Sequence, residues 1–435
     1  MTSKKPPRSL VISLIHRHPS FPGKSQCKQS VTAWLLLFSM LLGHSAQAPA
    51  AEKGVSNDAI RMGGVMDLEG RSKGLGQGMS AGIEAALKGV AIQHRKLEFT
   101  VLNDSYNPEK TIQATRQLVD SGVFLVAGNV GTPTAKVSLP ILRKQAIPAV
   151  GFFTGAGLLR TSEQTNIINY RASYAQEITA VIQGALEHDI DASAVCAYVQ
   201  NDAYGMAGIQ GIINAIQGRK GSQKIIQPLE KLLHMPGENP PRNGIGPVGV
   251  YQRNTYLARP GYTSIKQWEK KQGTHCRLVV TVGAYTSVAK FIGYARYKQE
   301  DWLFSAVSFT GAENFKTALK EMNIDGGVIM TQVVPQLHSN LEIVKDARLA
   351  LGANFNSVSL EGYIVGRLII HGLEHIDGMP TRQRFIDALL GKSFDLGGLK
   401  MNFRDDNQGS DLVTLTILRS EGWQPMQHGD WTNIR

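Results

Sequence analysis

The chain has 435 residues, 42% of them apolar and 19% charged, with a formal net charge of +11. That length leaves room for two domains and a large core, and the composition is that of a soluble globular protein. The positive balance is partly an N-terminal matter, and no basic run interleaved with aromatics follows it, which argues against a nucleic-acid-binding surface.

Residues 1–30 carry Lys4, Lys5, Arg8, Arg17, Lys24 and Lys28 and no acid. The apolar run Val31–Gly43 and then Ala46-Gln47-Ala48 follow. A basic segment, a short apolar segment and an A-x-A site read as a secretory signal peptide over residues 1–48, with Ala48-Pro49-Ala50 as a second cleavage site. The run is shorter than the roughly 20 apolar residues of a bilayer span, so a soluble mature protein is expected over an anchored one. Without residues 1–48 the remaining 40 basic and 35 acidic residues leave +5. The mature chain keeps Cys196 and Cys276. They could pair in an oxidising compartment, but two buried core thiols are the preferred reading, because sequence gives no distance between them. No C-x-x-C and no His/Cys cluster supports a metal site.

Beyond the signal, short apolar runs alternate with helical patterns. Strands are expected at Ile60–Val65, Leu97–Leu102, Phe124–Ala127, Ala149–Phe153, Ala194–Val199, Leu278–Val282, Phe304–Val307 and Val328–Thr331. Helices are expected between them, among them Pro108–Asp120, with proline in its first turn and one apolar face. Strand, helix and strand at this spacing mean βαβ units and parallel sheets. Two such sets, 58–170 and 190–309, predict an α/β protein of two doubly wound Rossmann-like lobes. Residues 235–249 hold four prolines and four glycines and read as a mobile surface loop.

The most informative stretch is Gly122-Val-Phe-Leu-Val-Ala-Gly-Asn-Val-Gly-Thr-Pro-Thr134, followed by Ile147-Pro-Ala-Val-Gly-Phe-Phe-Thr-Gly-Ala-Gly157. Each half reads as a strand running into a Gly/Thr turn. Two such turns at adjacent strand ends place backbone N–H groups and hydroxyls side by side at one edge of a parallel sheet, where open α/β sheets bind small ligands. Neither turn holds an acid, a base or a metal ligand, so the stretch points to holding a molecule, not to converting it.

Three other readings fail. Gly74-Leu-Gly-Gln-Gly78 lacks the G-x-G-x-x-G spacing and lies too far past its strand for a dinucleotide loop. Gly391-Lys-Ser393 would need glycine where Ile386 stands to be a P-loop. No nucleophile elbow organises the Ser, His and Asp residues. No catalytic residue and no cofactor is assigned, and the chain is not expected to be an enzyme.

The chain resembles the type I periplasmic solute-binding proteins, the family of the leucine/isoleucine/valine-binding proteins of ABC importers. The resemblance spans about 58–425 and rests on an ordered series: Ile60–Val65, Asn103-Asp104 with Tyr106-Asn-Pro-Glu-Lys110, Gly131-Thr132, Ile147-Pro148, Asn169-Tyr-Arg-Ala-Ser173, Asn201-Asp-Ala-Tyr-Gly205, Tyr251-Gln-Arg-Asn-Thr255 and Glu361-Gly362-Tyr363. It implies two lobes joined by three crossing strands, near Tyr170–Ala172, Val307–Phe309 and Leu396–Leu399, closing on a ligand. Lobe 1 would be 55–170 with 310–395, and lobe 2 would be 171–309 with 396–435. It further implies a periplasmic monomer that hands a small molecule to an ABC permease in the inner membrane, or a sensor of the same fold that signals to a membrane receptor.

Gly131 and Thr132 open a helix with Pro133 in its first turn, whose free N–H groups and dipole favour an anion; the resemblance implies a ligand carboxylate there. Thr154 and Gly155 should lie beside them. Strand alternation turns either Phe152 or Phe153 toward the cleft. Tyr204 and, less directly, Tyr285 end strands of the second lobe and match ligand-contacting positions. Where amino-acid-binding members carry a glutamate for the ligand ammonium, this chain has Ser287. An unpaired ammonium in a closed cleft is costly, so Asp67 or Glu69 would have to supply the acid, or the ligand is a carboxylate, amide or small aromatic acid without an amine.

Overall fold

The computed structural model describes residues 52–161, 163 and 165–433, so the expected signal peptide lies outside the described residues. The strands are β1 (Ala59–Met66), β2 (Ala91–Ile92), β3 (Arg95–Asn103), β4 (Leu125–Ala127), β5 (Ala149–Val150), β6 (Ile167–Ile168), β7 (Val195–Gln200), β8 (Val248–Tyr251), β9 (Leu278–Val282), β10 (Leu303–Ala306), β11 (Val328–Gln332), β12 (Ser393–Leu396), β13 (Leu399–Asn402), β14 (Thr414–Arg419) and β15 (Gly422–Pro425). The first sheet runs β2-β3-β1-β4-β5-β6 and the second β15-β14-β11-β10-β9-β7-β8. Each is a parallel sheet with antiparallel additions at an edge: β2 in the first, β14 and β15 in the second. The central strands are buried almost throughout, as expected of strands covered by helices on both faces. In the first sheet the strand order reverses between β1 and β4, in the second between β7 and β9. Loops at the carboxyl ends of those pairs diverge and leave a crevice.

Local chemistry sets the helix ends that aim at this crevice. Helix Pro108–Ser121 is capped by Asn107, which accepts the Glu109 N–H, and ends at Gly122. Helix Tyr174–Leu186 starts on a reciprocal capping box between Ser173 and Gln176. Helix Ser357–Glu374 packs on helix Lys73–Leu87 at glycine contacts. A Cβ on Gly82 would lie 2.1 Å from Ser359 O, and one on Gly362 would lie 2.4 Å from Met79 O. Gly78 and Gly82 therefore serve close helix packing, while Gly76 admits the backbone of Asp67. Among the described residues no helix is long and apolar enough to cross a membrane.

The path of the chain departs from expectation at four places. β11 pairs with β10 in the second sheet, although residues 310–395 were expected in the first lobe. The chain leaves that sheet after Gln332, and Val307–Phe309 lies inside the second lobe, in the turn that follows β10. Leu396–Leu399 is the turn of the β12–β13 hairpin, where Gly397 and Gly398 supply the positive φ angles of a two-residue turn. The third connection instead runs through Asn407–Ser410 and is bonded to the first: Gly409 N–H donates to Asn169 O at 2.9 Å and Ser410 N–H to Tyr170 O at 2.9 Å. The Pro/Gly-rich loop, expected to be mobile, is tied to its lobe at Arg242 and Asn243. Arg242 in it is buried and donates to Leu232 O and Asn201 Oδ1, while Asn243 bonds both backbone groups of Val250.

Cys196 and Cys276 form a disulfide, against the preferred reading of two thiols. They meet because β7 and β9 are adjacent and parallel, which brings the beginnings of both strands together. The bond closes a sequence separation of 80 residues. Replacing both cysteines with serine should lower unfolding stability by about 4 kcal/mol on chain-entropy grounds. Denaturant unfolding checks this, and a loss below about 1 kcal/mol would contradict it.

Candidate functional site

The two Gly/Thr turns are tied edge to edge. Phe153 N–H donates to Asn129 O at 2.8 Å and Gly131 N–H to Phe153 O at 3.2 Å. Gly131 sits at φ +104°, and a Cβ there would lie 2.2 Å from the Tyr106 ring; glycine is needed on both counts. Thr132 and Thr154 are buried, with their hydroxyl oxygens 2.7 Å apart. A Cβ on Gly155 would lie 2.7 Å from the Tyr174 ring.

Tyr174 carries the contact to the second lobe. Its ring centroid is 5.3 Å from that of Tyr204, which in turn is 4.6 Å from Phe309. Phe309 also meets Phe153 at 5.4 Å and Tyr106 at 6.2 Å. Rings from both lobes thus converge where the strands end. Phe153 is the member of its pair that meets the second lobe, its ring also lying 4.5 Å under the Arg171 guanidinium. Tyr204 is positioned by Asp202, which accepts its N–H at 3.0 Å and caps helix Ala203–Ile216. Its ring is fully buried, and among the described residues its hydroxyl has no hydrogen-bond partner. Burial holds that hydroxyl well above its ordinary pKa, so it remains a neutral donor.

Tyr106 is held by a strained turn. Ser105 and Tyr106 have φ of +50° and +55°, stabilised by the Asp104 carboxylate, which accepts from Tyr106 N–H and the Thr111 hydroxyl, each at 2.8 Å. The Tyr106 hydroxyl accepts from Gln200 Nε2 of the second lobe at 3.1 Å. Burial pushes Asp104 up to about 6, with the Thr111 bond opposing.

A charged network lies beside the rings. Arg171 is 1% exposed; its Nη2 donates to Ser308 Oγ at 2.6 Å, and its Nε lies 3.1 Å from Glu361 Oε1 without hydrogen-bond alignment. Glu177 accepts from Ser308 N–H at 2.7 Å, from Ser308 Oγ at 3.0 Å and from the Thr331 hydroxyl. Burial raises Glu361 from its ordinary 4.5 to about 7, with Arg171 opposing the rise.

The remaining sequence candidates are placed differently. Asp67 is buried but caps its own loop, accepting from Gly70 N–H at 2.5 Å and Ser72 N–H at 2.8 Å. Glu69 is exposed and accepts from Asn103 Nδ2. Tyr285 is half-buried against the Gly74 backbone, and burial raises its pKa. Ser287 donates to Thr255 O at 2.8 Å. Away from this region, Glu269, His275 and Glu300 bring possible metal-ligating atoms within 4.8 Å of one another, yet the Lys266 ammonium bonds both glutamates. Tyr106, Tyr174, Phe309, Arg171 and Glu361 were not singled out as site residues. Four of them lie within or beside ordered motifs already visible in the sequence; Phe309 had no such signal.

Residues 59–227 match the family described as periplasmic binding protein. No curated protein sequence matches the chain. Among solved structures, a possible leucine/isoleucine/valine-binding protein from Rhodopirellula baltica SH 1 is 30% identical, with 87% of this chain and 98% of that one covered and a TM-score of 0.75. A branched chain amino acid ABC transporter from Thermus thermophilus with bound valine is 14% identical, covering 86% and 96% at a TM-score of 0.66. An ABC transporter solute binding protein from R. palustris in complex with benzoate is 15% identical, covering 85% and 95% at a TM-score of 0.66. This chain belongs to the type I periplasmic binding proteins of the leucine/isoleucine/valine-binding kind.

The raised Glu361 gives a pH prediction. Between 4.5 and about 7 the folded chain binds a proton there that the unfolded chain has lost, so this contribution to stability declines as pH rises through that window. Asp104 acts in the same sense up to about 6, while His371, lowered to about 4 chiefly by burial, acts in the opposite sense. The difference in melting temperature between wild type and Glu361→Gln isolates Glu361. It should shift against the wild type from pH 5 to pH 8, and a difference that moves the other way would contradict the assignment.

Proposed function

We infer that the protein captures a small polar or amphipathic molecule, amino-acid-like or a carboxylate or amide, between its two lobes and delivers it to an ABC permease in the inner membrane. In this reading it is a periplasmic monomer without catalytic activity. The observation that carries it is the Tyr204 hydroxyl, fully buried, without a partner, and set among rings from both lobes. An unmatched buried hydroxyl costs about 1–3 kcal/mol, which a ligand acceptor would recover. The Thr132 and Thr154 hydroxyls, paired with each other on the opposing lobe, can exchange that bond for one to the ligand. Family membership supports the same reading.

A thermal-shift screen across amino acids, short and aromatic carboxylates and their amides tests it. A bound ligand at a hundredfold excess over Kd should stabilise the folded chain by about 2.7 kcal/mol. Thr132→Ala and Tyr204→Phe should each weaken that ligand about five- to tenfold, the equivalent of one hydrogen bond, while free Thr132→Ala still folds and free Tyr204→Phe melts at or above the wild-type temperature. Unchanged affinity in both variants would remove this site.

A further inference from the structure

The geometry points to Arg171 as the residue that holds an anionic end of the ligand, a carboxylate, at the hinge side of the cleft. This rests on the solute-binding reading and names the ligand's chemistry. A buried guanidinium ordinarily has its donors matched, because each unmatched one forfeits its hydration. Arg160, on the adjoining segment, follows that rule: Nε donates to Gln408, Nη1 to Ala156 O and Nη2 to Arg171 O. Arg171 does not. It is 1% exposed, one nitrogen bonds Ser308 Oγ, Nε is ion-paired with Glu361 at 3.1 Å without hydrogen-bond alignment, and among the described residues Nη1 has no partner.

Arg171 also lines a small cavity with Phe153, Ser308, Gln332, Ser357 and Glu361. The open volume is about 10 Å³, the room of a single acceptor atom or water. Phe153 forms one wall, its ring centroid 4.5 Å from the guanidinium carbon, so the cavity borders the ring cluster between the lobes. A carboxylate oxygen entering here would give Nη1 its missing partner in a charge-assisted bond. The apolar body would pack against the Phe153 and Phe309 rings where the two lobes meet.

The other charged candidates fit this assignment. Asp67 is committed to its own loop, Glu69 accepts from Asn103 at the end of β3, and the Ser287 hydroxyl is committed to Thr255. The acid inside the cavity, Glu361, is the group that competes with a ligand carboxylate for the guanidinium. The Thr132 turn, expected from sequence to hold the carboxylate, instead offers neutral hydroxyls suited to another polar group.

The test measures affinity by calorimetry for short-chain and aromatic carboxylic acids, each beside its primary amide. Wild type should prefer acids at least tenfold. Arg171→Gln should weaken acids at least tenfold and bring the preference close to one. Glu361→Gln removes the competing carboxylate and should strengthen acids at least threefold, which keeps the proposal testable if Arg171→Gln does not fold. Equal binding of acids and amides by wild type would overturn it and leave the solute-binding function standing. So would a preference that survives Arg171→Gln but is lost in Thr132→Ala, or unchanged acid affinity in Glu361→Gln. No binding of any acid or amide would overturn both readings.

Discussion

Phe309 touches rings from both lobes, and the relation between the lobes depends on those contacts. It lies against Tyr204 of its own lobe and against Phe153 and Tyr106 of the other. Such ring pairs contribute about 0.5–1.5 kcal/mol each beyond the area they bury. Unmatched polar atoms act against them: among the described residues the Tyr204 hydroxyl and Arg171 Nη1 sit in the same region without partners, each a cost of about 1–3 kcal/mol. Terms of similar size and opposite sign leave a small balance. A molecule that matches those atoms needs only a few kcal/mol of preference for the closed form to shift the populations.

The rest of the fold keeps the lobes themselves from yielding. In the second sheet the Cys196–Cys276 disulfide fixes β7 to β9, the strands on either side of its crevice. In the first, Gly131 and Phe153 bind one turn to the next. The connections between lobes are also bonded to one another: Asn169 and Tyr170 to Gly409 and Ser410, and the Tyr170 hydroxyl to Val333 O at 2.9 Å. These bonds favour turning of whole lobes about the connections over deformation within a lobe. Glu177 and Arg171, which both meet Ser308, place the charged groups at that hinge.

Much of this was legible in the sequence. The alternation of apolar runs and helical patterns fixed eight strands close to their observed positions, and both Gly/Thr turns lie side by side as expected. What failed needed long-range information. β11 looks the same whichever sheet it joins, so its pairing with β10 was invisible, and the crossing was placed too early. The Cys196–Cys276 pairing depends on β7 and β9 being neighbours, which local pattern does not encode. Asp67 and Glu69 were reasonable acids by position, but an aspartate that caps its own loop and one that faces a ligand read alike. Phe309, in a turn after β10, is an unremarkable aromatic until the opposing lobe is set against it.

Small-angle scattering of the full mature chain, with and without a saturating ligand, tests most directly whether two rigid lobes close on a guest. Ligand should lower the radius of gyration and sharpen the distance distribution, as closure brings Phe309 against Phe153 and Tyr106. A tightly bound ligand that leaves the scattering curve unchanged would contradict closure.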